Sequence, residues 1–145
     1  MPHAIAPNQR CAIETKLINP LSLAKPRGYT HGVKTSGATA LLFLGGQVAW
    51  DQEGRLVGAG DIVAQFDKAL ENLLAVVRDG GGTAENIVKL NIFVTDKAAY
   101  LAGMKEAGRA YRKHMGKHFP AMTLVEVKGL YEDGAMVEIE GMAVL

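Results

Sequence analysis

Two histidines, His114 and His118, have the spacing of a metal-ligand pair on one face of a helix. Gly116 lies between them and Pro120 follows, which indicates the fraying end of a helix. The neighbouring sequence supplies no third ligand, whereas structural zinc sites use four. The sequence therefore does not predict a metal site.

Glycine-rich segments are the second feature that could do chemistry, because such segments cradle phosphates in nucleotide-binding loops. Gly58-Ala59-Gly60 precedes a helical pattern in this way, but Asp61 would place a negative charge at the anion site. A helix N-cap explains Asp61 better. Gly80-Gly81-Gly82 lacks the Lys-Ser or Lys-Thr pair of a phosphate loop and is predicted only to end a helix.

The composition fits a single soluble domain over residues 1–145. Hydrophobic residues make up 48% of the chain, which is enough for one packed core. Sixteen basic and fifteen acidic residues leave a formal charge of +1, which argues against nucleic acid as a partner. No run reaches the roughly 18 apolar residues of a membrane helix. Cys11 is the single cysteine and cannot form an internal disulfide, so we expect a cytoplasmic protein. Residues 1–12 are expected to form a loose N-terminal segment.

Two helices and five strands account for most of the remaining sequence. Apolar residues recur at helical spacing from Ile62 to Val77, between an N-cap at Asp61 and the glycines that begin at Gly80. Asp96 can cap a second helix that reaches Met115. The predicted strands are Glu14 to Ile18, Ala40 to Leu44, Ile87 to Val94, Met122 to Val127 and Met136 to Ala143.

This order predicts an α+β fold with both helices on one face of a mixed sheet. The strand from Ala40 to Leu44 is apolar on both sides, so the other sheet face also needs a cover. A symmetric oligomer would provide that cover, and loops of the same chain are the alternative. We favour the oligomer.

Five short motifs, in a fixed order, resemble the Rid family, also called RidA, YjgF or L-PSP endoribonucleases. They extend from about residue 28 to residue 145. The motifs are Gly28-Tyr29-Thr30-His31-Gly32-Val33, Gly45-Gly46-Gln47-Val48, Asn86-Ile87-Val88-Lys89, Phe119-Pro120-Ala121 and Val137-Glu138-Ile139-Glu140. The resemblance implies a chorismate-mutase-like fold that assembles as a homotrimer with clefts between subunits.

The resemblance also implies a site and a reaction. Tyr29 would line the cleft beside the substrate, and Glu138 would hold the attacking water. The other substrate-binding positions would be Gly45, Met122 and Leu124. In deaminating members an arginine binds the carboxylate of a 2-imino acid or enamine, water attacks the imine carbon and ammonia leaves. Positioning and a polarised water suffice, so no metal or organic cofactor is implied.

Three positions depart from the family pattern. Met122 stands where the family has the carboxylate-binding arginine, and a thioether cannot pair with a carboxylate. Gly45 replaces the serine of many members, and Gly108 falls where some have an asparagine. Losing a charged contact of roughly 1.5–3 kcal/mol would weaken carboxylate binding by one to two orders of magnitude.

Arg27 and His31 lie on the same segment as Tyr29, and either could replace the missing cation. The alternative is that Arg27 is an ordinary solvated loop residue, as most exposed arginines are. The sequence favours that alternative.

Two classes of function follow from the resemblance. One is a hydrolase of small imines or enamines with altered specificity, and the other is a non-catalytic trimer that binds a small metabolite. The family's endoribonuclease label finds no support in the charge or in a His/Lys acid-base set.

Overall fold

The computed structural model describes residues 12–145, so the predictions for Cys11 and for the segment before residue 12 lie outside the described residues. The elements, in chain order, are β1 (Glu14–Ile18), β2 (Gly32–Ser36), β3 (Leu41–Gln47), α1 (Ile62–Asp79), a 3-10 turn (Ala84–Asn86), β4 (Ile87–Val94), α2 (Lys97–Ala102), α3 (Met104–Met115), β5 (Ala121–Glu126) and β6 (Val137–Val144).

A four-stranded mixed sheet carries the helices on one face. Its strand order is β3-β6-β4-β5, with β4 and β5 parallel and the other neighbours antiparallel. Strands β1 and β2 form a separate antiparallel pair. The predicted α+β fold with a mixed sheet is confirmed.

Helix α1 begins and ends where the sequence predicts. The Asp61 carboxylate accepts hydrogen bonds of 3.0 Å from the amides of Val63 and Ala64, which satisfies two unpaired donors of the first turn. Gly80 caps the other end. The apolar side of α1, including the fully buried Leu73, packs on the sheet and contributes more core residues than any other element.

The second predicted helix is divided in two at Gly103. A Cβ atom at this position would lie 2.5 Å from Cγ2 of Val63 on α1, so only glycine allows the two helices to approach so closely here. Helical periodicity continues through the break, which is why the sequence predicts one helix from Asp96 to Met115.

Two strands also differ from their prediction. Strand β2 is not among the five predicted strands, because Gly32 to Ser36 is short and mostly polar. Strand β3 continues past the predicted end at Leu44 as far as Gln47, with a bulge between these two residues.

The register assigns the strand side chains to two sheet faces, because residues paired across neighbouring strands project to the same side. The helix face is the side against α1 to α3. The open face is the other side. It carries Leu41, Phe43, Gly46, Lys89, Asn91, Phe93, Thr123, Val125, Glu138, Glu140 and Met142. Within residues 12–145, no helix is long and apolar enough to cross a membrane.

Candidate functional site

A pocket of about 400 Å³ lies between α2, α3, strand β5 and the loop at residues 27–29. Its walls are mainly apolar and aromatic, and Arg27 and Arg112 are its two cationic residues. The other lining residues are Gly28, Tyr29, Phe66, Ile92, Tyr100, Met104, Ala107, Gly108, Tyr111, Phe119, Met122 and Leu124. A depression of about 620 Å³ beside β1 contains none of the predicted site residues.

Strand pairing brings Tyr29 to the pocket. Thr30 forms a parallel bridge to Ala121 at the start of β5, and its amide donates a 3.3 Å hydrogen bond to the Pro120 carbonyl. The loop that carries Arg27 and Tyr29 is therefore held beside Met122. Since side chains alternate along a strand, Met122 and Leu124 both turn towards the helices.

Tyr111 forms a rigid wall of the pocket. Its ring stacks on Phe119 at 5.3 Å between centroids, and its hydroxyl donates a 2.7 Å hydrogen bond to the His118 carbonyl. Burial raises the pKa of the Tyr111 phenol above its ordinary value, because the charged form would lose its hydration. Tyr111 therefore stays neutral, and its proton is already engaged by the protein.

His31 lies outside the pocket lining. Its Nε2 bonds to the Ala24 carbonyl at 2.8 Å, and its amide donates to the Asn19 side chain at 2.9 Å. The ring contacts Tyr29 edge-on, with 5.4 Å between centroids. This arrangement gives His31 the role of supporting the Tyr29 ring, whereas Arg27 reaches the pocket itself.

Glu138 and Gly45 do not join the pocket. Glu138 pairs across the sheet with Phe93 and projects from the open face, away from Met122 and Leu124. A Cβ atom at Gly46 would collide with the Glu138 carboxylate, so this glycine makes room for the acid. Gly45 has open space where a side chain would be. Within one chain, Arg27, Tyr29, Met122 and Leu124 thus line the pocket, while Glu138 lies on the opposite side of the sheet and His31 and Gly45 lie outside the pocket lining.

Similarity to known proteins decides the family. The family described as Endoribonuclease L-PSP matches residues 21–145. The chain belongs to this family, the Rid family. A RutC family protein of Synechocystis sp. is 33% identical over 132 residues, which cover 90% of this chain and 96% of that protein. A second RutC family protein, from Pasteurella multocida, is 38% identical over 104 residues, 72% of this chain and 79% of that protein.

Solved structures agree with the Rid-family assignment. The crystal structure of YyfB from Yersinia pestis, a protein of unknown function in the conserved Rid family, superposes with a TM-score of 0.80 at 31% identity. The match covers 90% of this chain and 98% of YyfB. A putative endoribonuclease from Thermotoga maritima gives a TM-score of 0.64 at 30% identity, over 81% of this chain and 86% of that one.

Sequence reasoning missed two residues of this Rid-family site. Arg112 lines the pocket, and its only sequence signal is its position one helical turn after Gly108. Gly46 appears in a recognised motif, but its contact with Glu138 depends on the pairing of β3 with β6, which a single sequence does not specify.

The two spaced histidines have other partners. His114 bonds to the Asp67 carboxylate, and Nε2 of His118 bonds to the Ile87 carbonyl at 2.7 Å. Hydrogen bonds from His114 and Lys113 outweigh the partial burial of Asp67 and lower the pKa of its carboxyl. In the described part of the chain, no three potential ligands form a metal-binding group.

Proposed function

We propose that this Rid-family protein binds a small, mostly apolar metabolite in the pocket and hydrolyses an imine or enamine there. The observation that carries the proposal is the distribution of its residues: Tyr29, Met122 and Leu124 meet in one pocket, while Glu138 lies on the opposite sheet face. No aspartate or glutamate is among the residues from 12 to 145 that line the pocket. The acid that positions water must then come from another copy of the chain.

Homotrimer formation supplies that second copy in the proposal. Leu41 and Phe43 are 59% and 69% exposed on the open face, which is unusual for large apolar strand residues side by side. In the proposed trimer, the open face of one chain packs beside the pocket of the next chain, so that Leu41 and Phe43 are buried and Glu138 faces that pocket. The proposed site therefore lies between subunits.

Ammonia release tests the proposed reaction. A 2-imino acid is generated from leucine by an amino-acid oxidase, and ammonia release with wild-type protein is compared with the uncatalysed rate. We expect acceleration by the wild type and a loss of about a hundredfold or more in Glu138→Gln, because a carboxamide cannot accept the proton of the attacking water. Glu140→Gln is the matched control on the same strand and face, where Glu140 accepts a 2.9 Å hydrogen bond from Asn91. Equal rates for both variants would contradict the role of Glu138.

Binding without turnover is the second candidate, and Met122 at the arginine position favours it. In that case wild-type protein leaves the ammonia rate unchanged while it still binds an apolar 2-oxo analogue. Met122→Arg separates the two candidates further. We expect it to increase the hydrolysis rate slightly, since a cation returns to a pocket that is otherwise intact.

A further inference from the structure

Arg112 is a cation at the pocket wall that pairs with no acid of residues 12–145. Its neighbours on α3 differ in this respect. Arg109 lies 3.8 Å from the Glu106 carboxylate, and Nζ of Lys113 lies 3.1 Å from that of Asp67. Lys105 of α3 also pairs with no acid of residues 12–145, but it is not among the pocket residues, so Arg112 is the unpaired basic residue of α3 that lines the pocket.

Gly108 lies beside the Arg112 guanidinium at the pocket wall. Side chains on a helix lean towards its N-terminus, so Arg112 covers the residue one turn earlier. A Cβ atom at position 108 would lie 3.5 Å from Nη1 of Arg112, and a longer side chain would extend into the guanidinium. An alanine methyl group would make only an ordinary van der Waals contact there, so position 108 excludes longer side chains and not a Cβ atom itself.

We propose that Arg112 is the residue that selects an anionic ligand, and that it replaces on α3 the arginine missing at position 122. This inference rests on the proposed function, because it concerns the same pocket. A guanidinium binds a carboxylate through two parallel hydrogen bonds, and the aromatic walls fit an apolar chain. The ligand class is therefore a monocarboxylate with a bulky apolar body. Arg27 lines the same pocket from a loop.

Calorimetric titration of the full-length protein with 4-methyl-2-oxopentanoate and with its methyl ester tests the inference. The 2-oxo oxygen stands in for the imine nitrogen, and the ester removes the charge at the cost of one added methyl group. We expect wild-type protein to prefer the acid and Arg112→Gln to bind it about tenfold or more weaker, with ester affinity unchanged within about twofold. Arg112→Lys should be intermediate, since lysine keeps the charge without the planar fork.

Two further variants control the result. Arg109→Gln, on the same helix and 62% exposed, should bind both compounds like the wild type. Gly108→Asn should resemble Arg112→Gln, because its side chain displaces the guanidinium. An unchanged preference for the acid in Arg112→Gln overturns the inference but leaves the proposed function standing, as does an equal loss for acid and ester. If wild-type protein binds neither compound, both proposals fail.

Discussion

The two faces of the central sheet are built in different ways. On the helix face, Leu90, Ile92 and Ile139 are buried beneath α1 and α3. On the open face, polar side chains form short pairs: Nζ of Lys89 donates to Thr123 at 3.0 Å, and Asn91 donates to Glu140. Large apolar residues beside these pairs remain exposed. Within one chain the helices cover the first face, while apolar residues of the second face stay exposed.

This difference between the two faces predicts that substitutions on each face have different effects. The helix face supplies the core and one wall of the pocket, so it can form within a single subunit. The open face carries Glu138, the acid of the proposed reaction, together with the exposed Phe43. Substitutions of core residues on the helix face should therefore change folding, and those of its pocket residues should change ligand binding, while those on the open face should change assembly and turnover.

Phe43→Glu is expected to have the largest effect, because it places a charge in the centre of the proposed subunit interface. A buried unpaired carboxylate is far more costly than the apolar contact it replaces, so the variant should be a monomer that has lost imine hydrolysis. Sedimentation velocity gives the mass, and ammonia release gives the activity. Leu101→Glu, a similar change at an exposed apolar residue of α2, should assemble normally. Normal assembly of Phe43→Glu would show that the open face is not the interface.

Leu73→Ala tests whether the helix face determines the stability of the fold. Leu73 is fully buried in the core, and removal of its side chain should lower the free energy of unfolding by about 2–5 kcal/mol through lost burial and a residual cavity. Urea unfolding of the assembled protein measures the change. Val76→Ala, on the exposed side of the same helix, should cost less than about 1 kcal/mol. Equal losses in the two variants would contradict the assignment of the core to this face.

Local sequence patterns predict most of the fold. The limits of α1 follow from Asp61 and Gly80, and β4 begins and ends where the alternation between Ile87 and Val94 does. Contacts between elements account for the errors. Gly103, where the predicted helix is divided, lies against Val63 of α1, and no local pattern contains that contact.

The candidate site could be predicted only in part. Motif order identifies Tyr29, Met122 and Leu124, which the structure brings together in one pocket. Arg112 belongs to no recognised motif, and it lines the pocket because of where α3 lies in the fold. The separation of Glu138 from that pocket depends on strand register, which a single sequence does not determine.

Gln65→Leu tests the hydrogen bonds that join α1 to the turn before β6. Gln65 is fully buried; its Nε2 donates to the carbonyls of Gly58 and Gly134 at 3.1 Å, and its Oε1 accepts from the Met136 amide at 2.7 Å. Leucine leaves these backbone groups without partners, so we expect a loss of about 1–3 kcal/mol. Urea unfolding checks this value. A stability equal to that of the wild type would mean that water or a shifted loop satisfies the same groups.

Asp67→Asn should have the smallest effect, because the charges of Asp67 and Lys113 lie at the outer surface of the helices, away from both sheet faces. The folded state lowers the pKa of Asp67 below the ordinary value of 3.8, against the effect of partial burial. The ion pair therefore stabilises the folded protein at pH values above about 4 and is lost as the pH falls through the folded-state pKa. Solvent screening limits the expected loss at pH 7 to about 1 kcal/mol or less.

Thermal unfolding from pH 7 to pH 3 measures this contribution. The difference between the wild type and Asp67→Asn should be largest near neutrality and should shrink below about pH 4, where the wild-type carboxylate becomes protonated. Asp79→Asn, at an exposed acid of the same helix that pairs with no basic residue of the described chain, is the matched control. A wild-type advantage over Asp67→Asn that stays constant down to pH 3 would mean that the Asp67 carboxylate does not stabilise the fold through its charge. In that case the packing of the Asp67 side chain, and not its charge, would be the source of its effect on stability.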